Sequence, residues 1–252
     1  MSPSGTPINF SETCLASVYS GFYATVLDDI FSEEECTSLV SLATRNGSWI
    51  PAGLSAEGPS QTVHKNFRNS DRILVVHEDT ADLIYTKLKP FIELQIGRIA
   101  VGDNWDSITG KKGRKQGPTW KLTSVNPRLS FLRYGPGHYF KQHCDGLNDL
   151  TTESGKVLKS FVTLHIYLNG TGDSAPHQSD EDLIASQDYH PSYPVEGGAT
   201  RFWTPDKKHY LDVLPKRGRV LIFQQRMLIH SGEEVTHGTK YTIRSDFMFE
   251  EI

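Results

Sequence analysis

Cysteine is scarce in this chain: Cys14, Cys36 and Cys144 are the only three among 252 residues. An odd, sparse set makes a poor disulfide framework and points to a reducing compartment. No apolar run approaches the roughly 20 residues that span a bilayer. The segment from Met1 to Ser20 has neither a basic start nor an apolar core, so no secretory leader is expected. The expected location is the cytoplasm or the nucleus. The sequons at Asn46-Gly47-Ser48 and Asn169-Gly170-Thr171 are expected to go unused, because glycosylation requires secretion. Cationic excess is absent too: 26 Lys and Arg stand against 30 Asp and Glu, for a net charge of −4. That balance argues against nucleic acid or an anionic membrane as the main partner. There are no internal repeats and no linker that would split the chain.

What is present fits a folded protein. Hydrophobic residues make up 37% and charged residues 22%, and the length suits one large domain with a real core. Residues 1–20, rich in Ser, Pro, Gly and Thr, read as a flexible tail, leaving 21–252 as a single domain. Ser32-x-x-Glu35 is a capping box ahead of Leu39, Val40 and Leu42 and predicts a helix there. A second helical segment runs from Thr80 to Ala100, with Pro90 as an expected kink or break. Residues 102–118 carry four glycines and several lysines and read as a long loop of the kind that forms lids. After it the periodicity changes to two. Strands are predicted at Ile73–Val76, Arg128–Tyr134, Ser160–Leu168, Thr200–Trp203, Arg219–Phe223 and Lys240–Phe249. A polar, acidic insertion from Thr171 to Glu196 separates two of them. Helices first and strands later predict a mainly β sandwich or barrel with helices on one side.

The chemistry concentrates in a few positions. His143 and Asp145 are two apart, so in an extended segment they point the same way, and His230 lies 85 residues beyond Asp145. Two histidines and a carboxylate can hold one face of an octahedral metal and leave three positions open, the layout of non-haem Fe(II) oxygenases. The same donors with an open position also suit a zinc hydrolase. Each residue alone has an ordinary reading, the pair as a surface coincidence and His230 as a loop histidine. Lys240, Thr242, Arg244 and Asp246 alternate with the apolar Tyr241, Ile243 and Phe247. Thr163, His165 and Tyr167 alternate with Val162, Leu164, Ile166 and Leu168. Such polar faces are either solvated, as in many antiparallel sheets, or they line a cup where a cation grips a carboxylate. Arg201 and Trp203 near the cup mouth are candidate substrate contacts; a surface ion pair is the ordinary reading for Arg201. The run Lys111-Lys112-Gly113-Arg114-Lys115 reads as a solvated loop tip.

Ordered motifs sharpen this picture. Arg133-Tyr134-Gly135-Pro136-Gly137, His143-x-Asp145-Gly146, Tyr167-Leu168-Asn169, Gly197-Gly198-Ala199-Thr200-Arg201-Phe202, Pro215-x-x-Gly218, His230-x-Gly232 and Gly238-Thr239-Lys240-Tyr241 follow one another. As a series they resemble the Fe(II)/2-oxoglutarate-dependent dioxygenases of the prolyl 4-hydroxylase type, over about residues 128–250 and more loosely back to Phe31.

The resemblance implies a double-stranded β-helix, or jelly roll, with N-terminal helices packed on one sheet. It implies His143, Asp145 and His230 as iron ligands, with Fe(II), 2-oxoglutarate and O2 as the reacting set and ascorbate as a supporting reductant. Lys240, ten residues after His230, matches the cation for the distal carboxylate of 2-oxoglutarate. Tyr167 matches a tyrosine at that carboxylate, and Tyr134 and Thr163 match pocket positions. Arg244 is a departure on the same face as Lys240, and either cation can take the carboxylate role, with Lys240 favoured. Ala199 stands where many relatives carry an acidic residue. A carboxylate at Asp145 favours oxygenation over halogenation. The implied reaction is hydroxylation of an unactivated C–H bond with release of succinate and CO2. The implied substrate is a prolyl residue in a protein, or alternatively a small molecule such as an amino acid or secondary metabolite. A catalytically silent jelly-roll binding module is the remaining alternative. The oligomeric state is left open.

Overall fold

Two antiparallel sheets face each other across a cup. The computed structural model describes residues 3–53, 63–110, 115–172 and 194–252. Four strands form the heart of the larger sheet. In spatial order they are Val220–Gln224, Val157–Tyr167, Lys240–Glu251 and Arg128–Tyr134. Opposite them run Tyr210–Val213, Thr200–Trp203, His230–Gly232 and Tyr139–His143. Along the chain, the eight strands alternate between the two sheets except for the Thr200–Trp203 and Tyr210–Val213 hairpin, which makes the core a double-stranded β-helix. Asp71–Val76 extends the larger sheet beyond Arg128–Tyr134, and Ala24–Asp28 extends it beyond Val220–Gln224.

Residue alternation decides what each face does. In Arg128–Tyr134, Leu129 and Phe131 join the main core, while Arg128, Ser130, Leu132 and Tyr134 face the cup. In Asp71–Val76, Ile73 and Val75 face the core and Arg72 faces the cup. Two helices cover the outer face. Glu33–Asn46 begins at the expected capping box, with the Glu35 amide donating to Ser32 Oγ at 3.2 Å and the Ser32 amide donating to Glu35 Oε2 at 2.9 Å. Glu78–Ile96 buries Ile84, Leu88, Ile92 and Ile96 against the sheet. It runs on through Pro90, which lies on the exposed side, where water can take the backbone carbonyl that a proline leaves without a donor. Among the described residues no helix is long and apolar enough to cross a membrane.

Two expectations need correction. The segment over residues 1–20 is not a loose tail in its described part. Ser4–Pro7 pairs with Ala24–Asp28, and Phe10, Leu15 and Tyr19 are buried in a second core with Phe202, Phe223 and Leu228. Three apolar side chains spaced along a polar segment were enough to anchor it. The 102–118 loop carries a short 3-10 turn, Asp106–Thr109, with Ile108 fully buried. Its described residues Asp106, Thr109, Gly117 and Pro118 line a separate cleft with Trp120, Phe161 and Arg226, and none of them lines the cup. Of the acidic insertion over 171–196, residues 173–193 lie outside the described residues. So do Lys111, Lys112, Gly113 and Arg114.

Candidate active site

The Arg128–Tyr134 strand ends in a turn at Gly135-Pro136-Gly137, where the His138 amide donates to the Gly135 carbonyl at 2.9 Å. Gly137 takes φ +76° there, a conformation open to glycine at little cost. The turn feeds Tyr139–His143 into the smaller sheet, and His143 is the cross-strand partner of His230. Asp145 follows just past the strand end. The donor atoms of His143, Asp145 and His230 all lie within 4.8 Å of one another. Each histidine Nε2 is 3.8 Å from an Asp145 oxygen, His143 from Oδ1 and His230 from Oδ2.

The surroundings prepare these groups as ligands. His143 Nδ1 lies 2.7 Å from the Lys141 carbonyl, and His230 Nδ1 lies 3.1 Å from the Leu228 carbonyl. With Nδ1–H donated to a carbonyl, each Nε2 keeps its lone pair for a metal. Burial, with help from His230, pushes His143 down to about 3, so it is neutral near pH 7. Phe140 stacks on its ring at 3.7 Å and fixes the ring plane. Burial alone would raise the Asp145 carboxyl, but Arg244 and the two histidines outweigh it and hold the group well below the usual carboxylate range. The Thr163 hydroxyl donates to Asp145 Oδ2 at 2.5 Å. Two imidazoles and one oriented carboxylate, with their free donor atoms converging, fit a divalent metal such as Fe(II).

A cavity of about 260 Å³ opens beside the triad. Lys240 lines one part of it and is only 1% exposed. Its ammonium donates to the Gly198 carbonyl at 2.7 Å and sits 4.4 Å from the centre of the Tyr134 ring. Arg244 is committed elsewhere: its Nη2 is 3.0 Å from Asp246 Oδ1 and 3.5 Å from Asp145 Oδ1. Burial works against its charge, yet Asp145 and Asp246 raise its pKa. Asp246 is held in turn by Gln225 Nε2 at 2.6 Å and Asn148 Nδ2 at 2.7 Å.

The other candidates divide. Tyr134 and Thr163 line the cavity with the triad, Lys240 and Arg244. Tyr167 does not line it. Its hydroxyl donates to Thr200 Oγ1 at 2.6 Å, and Thr200 is the residue at the cavity wall. Arg201 and Trp203, the candidate substrate contacts, do not line this cavity. Alternation turns Thr200 and Phe202 inward and Arg201 and Trp203 to the opposite face. There Arg201 pairs with Asp212 at 2.6 and 2.7 Å and with Glu233 at 3.0 Å, over the Tyr210 ring. Trp203 donates to Ser231 Oγ at 2.7 Å. Ala199 is buried, and its carbonyl accepts the Glu233 amide at 2.8 Å.

Some lining residues were not singled out from sequence. His165 was visible on the polar face of its strand; its Nε2 is buried without a hydrogen-bond partner. Asn148, Arg68, Arg72 and Arg128 also line the cavity. Arg68 and Arg72 come from upstream strands that no motif marks.

Residues 129–245 match the model of the 2OG-Fe(II) oxygenase superfamily. The match covers just under half of the chain. That match takes in His143, Asp145, His230, Lys240 and Arg244. A Pseudomonas putida prolyl-4-hydroxylase structure is similar over 89% of this chain and 91% of its own, at 16% identity and a TM-score of 0.51. A viral collagen prolyl hydroxylase from Paramecium Bursaria Chlorella virus-1, solved as a 2OG complex, is similar over 92% and 98%, at 20% identity and 0.47. A prolyl hydroxylase from Trichoplax adhaerens, in complex with a hypoxia inducible factor peptide fragment, is similar over 89% and 82%, at 15% identity and 0.48. At 16% identity the likeness to the Pseudomonas putida structure speaks for the fold alone. No curated protein matches the sequence.

Proposed function

We propose that this 2OG-Fe(II) oxygenase domain hydroxylates an unactivated C–H bond, with Fe(II) held by His143, Asp145 and His230 and 2-oxoglutarate anchored by Lys240. The observation that carries the reading is one cavity lined both by the converging triad and by a buried ammonium whose charge has no acidic hydrogen-bond partner among the described residues. When bound, iron and 2-oxoglutarate supply an oxidant that puts one atom of dioxygen into the substrate and releases succinate and CO2. The chain's own residues do the rest. Thr163 fixes the Asp145 carboxylate, and Arg244 balances its charge. Lys240 offers a charge-assisted hydrogen bond to the distal carboxylate, with the Tyr134 ring under the ammonium. Tyr167 acts through Thr200 rather than on the cosubstrate directly. Walls formed by Leu132, Phe140 and Phe223 keep bulk water from the reacting centre. A prolyl residue in a protein is the first candidate substrate, and a small molecule such as an amino acid or secondary metabolite is the alternative. Ascorbate would serve as a supporting reductant, in the cytoplasm or nucleus.

Purification under anaerobic conditions, metal analysis and succinate release test the reading. Iron with 2-oxoglutarate-dependent succinate release is expected. Bound zinc without succinate would favour a hydrolase, and neither metal nor turnover would favour a silent binding module.

A further inference from the structure

One polar side chain at the cavity is left without a partner. His165 lies on Val157–Tyr167, the strand that also carries Thr163 and Tyr167. Alternation turns all three side chains toward the cup. Thr163 donates to Asp145, and Tyr167 donates to Thr200. His165 stands between them and lines the cavity together with the triad and Lys240. Its Nε2 is buried and has no hydrogen-bond partner among the described residues. A buried polar group in that state costs free energy, and it calls for an explanation.

The position of the ring narrows what would complete it. Residues two apart on a strand are roughly 7 Å apart, yet the His165 and Tyr167 ring centres are 4.8 Å apart, so the two rings lean together. Tyr167 lies on the Lys240 side of His165: the cross-strand partners of Thr163, His165 and Tyr167 are Asp246, Arg244 and Thr242 in turn. Burial and then the Lys240 charge push His165 down to about 3, and the ring is neutral near pH 7. A neutral imidazole keeps one N–H to donate. Rotation about its Cβ–Cγ bond is soft, so a small turn presents that N–H to the cavity. A carboxylate only accepts, and its two oxygens take several donors. Lys240 already gives one of its hydrogens to the Gly198 carbonyl, and the Tyr167 hydroxyl is engaged by Thr200.

We propose that His165 is a second donor to the distal carboxylate of 2-oxoglutarate, a neutral N–H beside the Lys240 ammonium, and that it helps select a dicarboxylic over a monocarboxylic 2-oxo acid. This rests on the 2-oxoglutarate reading above and deepens it. Were the ring only a wall of the pocket, an apolar side chain of similar size would serve as well.

The test compares two cosubstrates on the anaerobic Fe(II) protein by calorimetry. One is 2-oxoglutarate; the other is 2-oxopentanoate, which keeps the chelating end and the five-carbon chain but lacks the distal carboxylate. His165→Leu should raise the Kd for 2-oxoglutarate about tenfold, the worth of one hydrogen bond to a charged group, and leave that for 2-oxopentanoate within about twofold. His165→Gln, which keeps a neutral donor, should recover most of the lost affinity. An unchanged Kd for 2-oxoglutarate in His165→Leu would overturn the proposal. So would an equal loss for both acids, which would give the ring a structural part or a place at the chelating end. If the leucine variant does not fold, His165→Phe keeps a ring against Tyr167 and makes the same comparison. Unsubstituted protein that binds neither acid would sink the parent reading instead, and that titration is run first.

Discussion

Lys240 and Arg244 sit on the same face of one strand, four residues apart, and their neighbours differ. The hydrogen-bond partner of Lys240 is a neutral carbonyl, and burial pushes its ammonium down to about 7. Arg244 lies between two aspartates. Removing Lys240 should therefore act on the cosubstrate, and removing Arg244 on the metal carboxylate. Lys240→Ala is expected to raise the Kd for 2-oxoglutarate about 10- to 100-fold, the range of a charge-assisted hydrogen bond. Arg244→Ala should mainly weaken metal binding, and equilibrium titrations of each variant separate the two effects. The pH dependence has a definite sign. A bound carboxylate raises the Lys240 pKa above its ligand-free value of about 7, so binding takes up a proton once the free enzyme has lost one. Affinity should be full below pH 7, fall as pH rises through 7, and level off above the pKa of the bound state. Lys240→Arg should flatten that profile between pH 7 and 9. The sequence alone left these two cations as rivals, because alternation puts both on the polar face. Only the burial of Lys240 and the partners of Arg244 tell them apart, and the burial and the Asp145 partner come from distant segments.

Strand alternation was legible wherever a strand carried a clear apolar face. Arg128–Tyr134 and Thr200–Trp203 begin and end where the pattern puts them. Which way Arg201 and Trp203 point was not legible, because the interior and exterior of the smaller sheet are decided by the partner strands. The Gly197-Gly198 turn shows a tighter constraint. Both residues have positive φ, and a Cβ on Gly198 would meet Val235 Cγ2 at 3.0 Å and Lys240 Cδ at 3.1 Å. Gly198→Ala is expected to cost about 1–3 kcal/mol through backbone strain and to displace the Lys240 side chain. A lowered thermal midpoint together with a raised Kd for 2-oxoglutarate would bear this out; an unchanged Kd would show that Lys240 tolerates the crowding.

At the scale of the molecule, the N-terminal segment is built into the cup. The Tyr19 hydroxyl donates to the Trp203 carbonyl at 2.7 Å and accepts the Ile229 amide at 3.3 Å, one residue before His230. Phe10 packs edge-on against Phe202. Deletion of residues 1–20 should lower the thermal midpoint by roughly 10 °C or more, from the loss of several buried aromatic contacts, and should weaken metal binding through the His230 strand. Calorimetry and metal titration of the truncated chain check this. Composition hid the segment's role, since Phe10, Leu15 and Tyr19 are too widely spaced to show a period. The jelly-roll plan itself was readable from the ordered motifs, because each marks a strand end or turn that the closed cup requires.

The central claim is that His143, Asp145 and His230 hold iron while Lys240 anchors 2-oxoglutarate in the same cavity. Titration of the anaerobic Fe(II) protein with 2-oxoglutarate, followed by the visible charge-transfer absorption of an iron-chelated 2-oxo acid, tests it most directly. The account predicts a saturable band that is lost in Asp145→Ala and shifted to higher 2-oxoglutarate concentration in Lys240→Ala. A band that survives Asp145→Ala unchanged, or none in the unsubstituted protein, would contradict it.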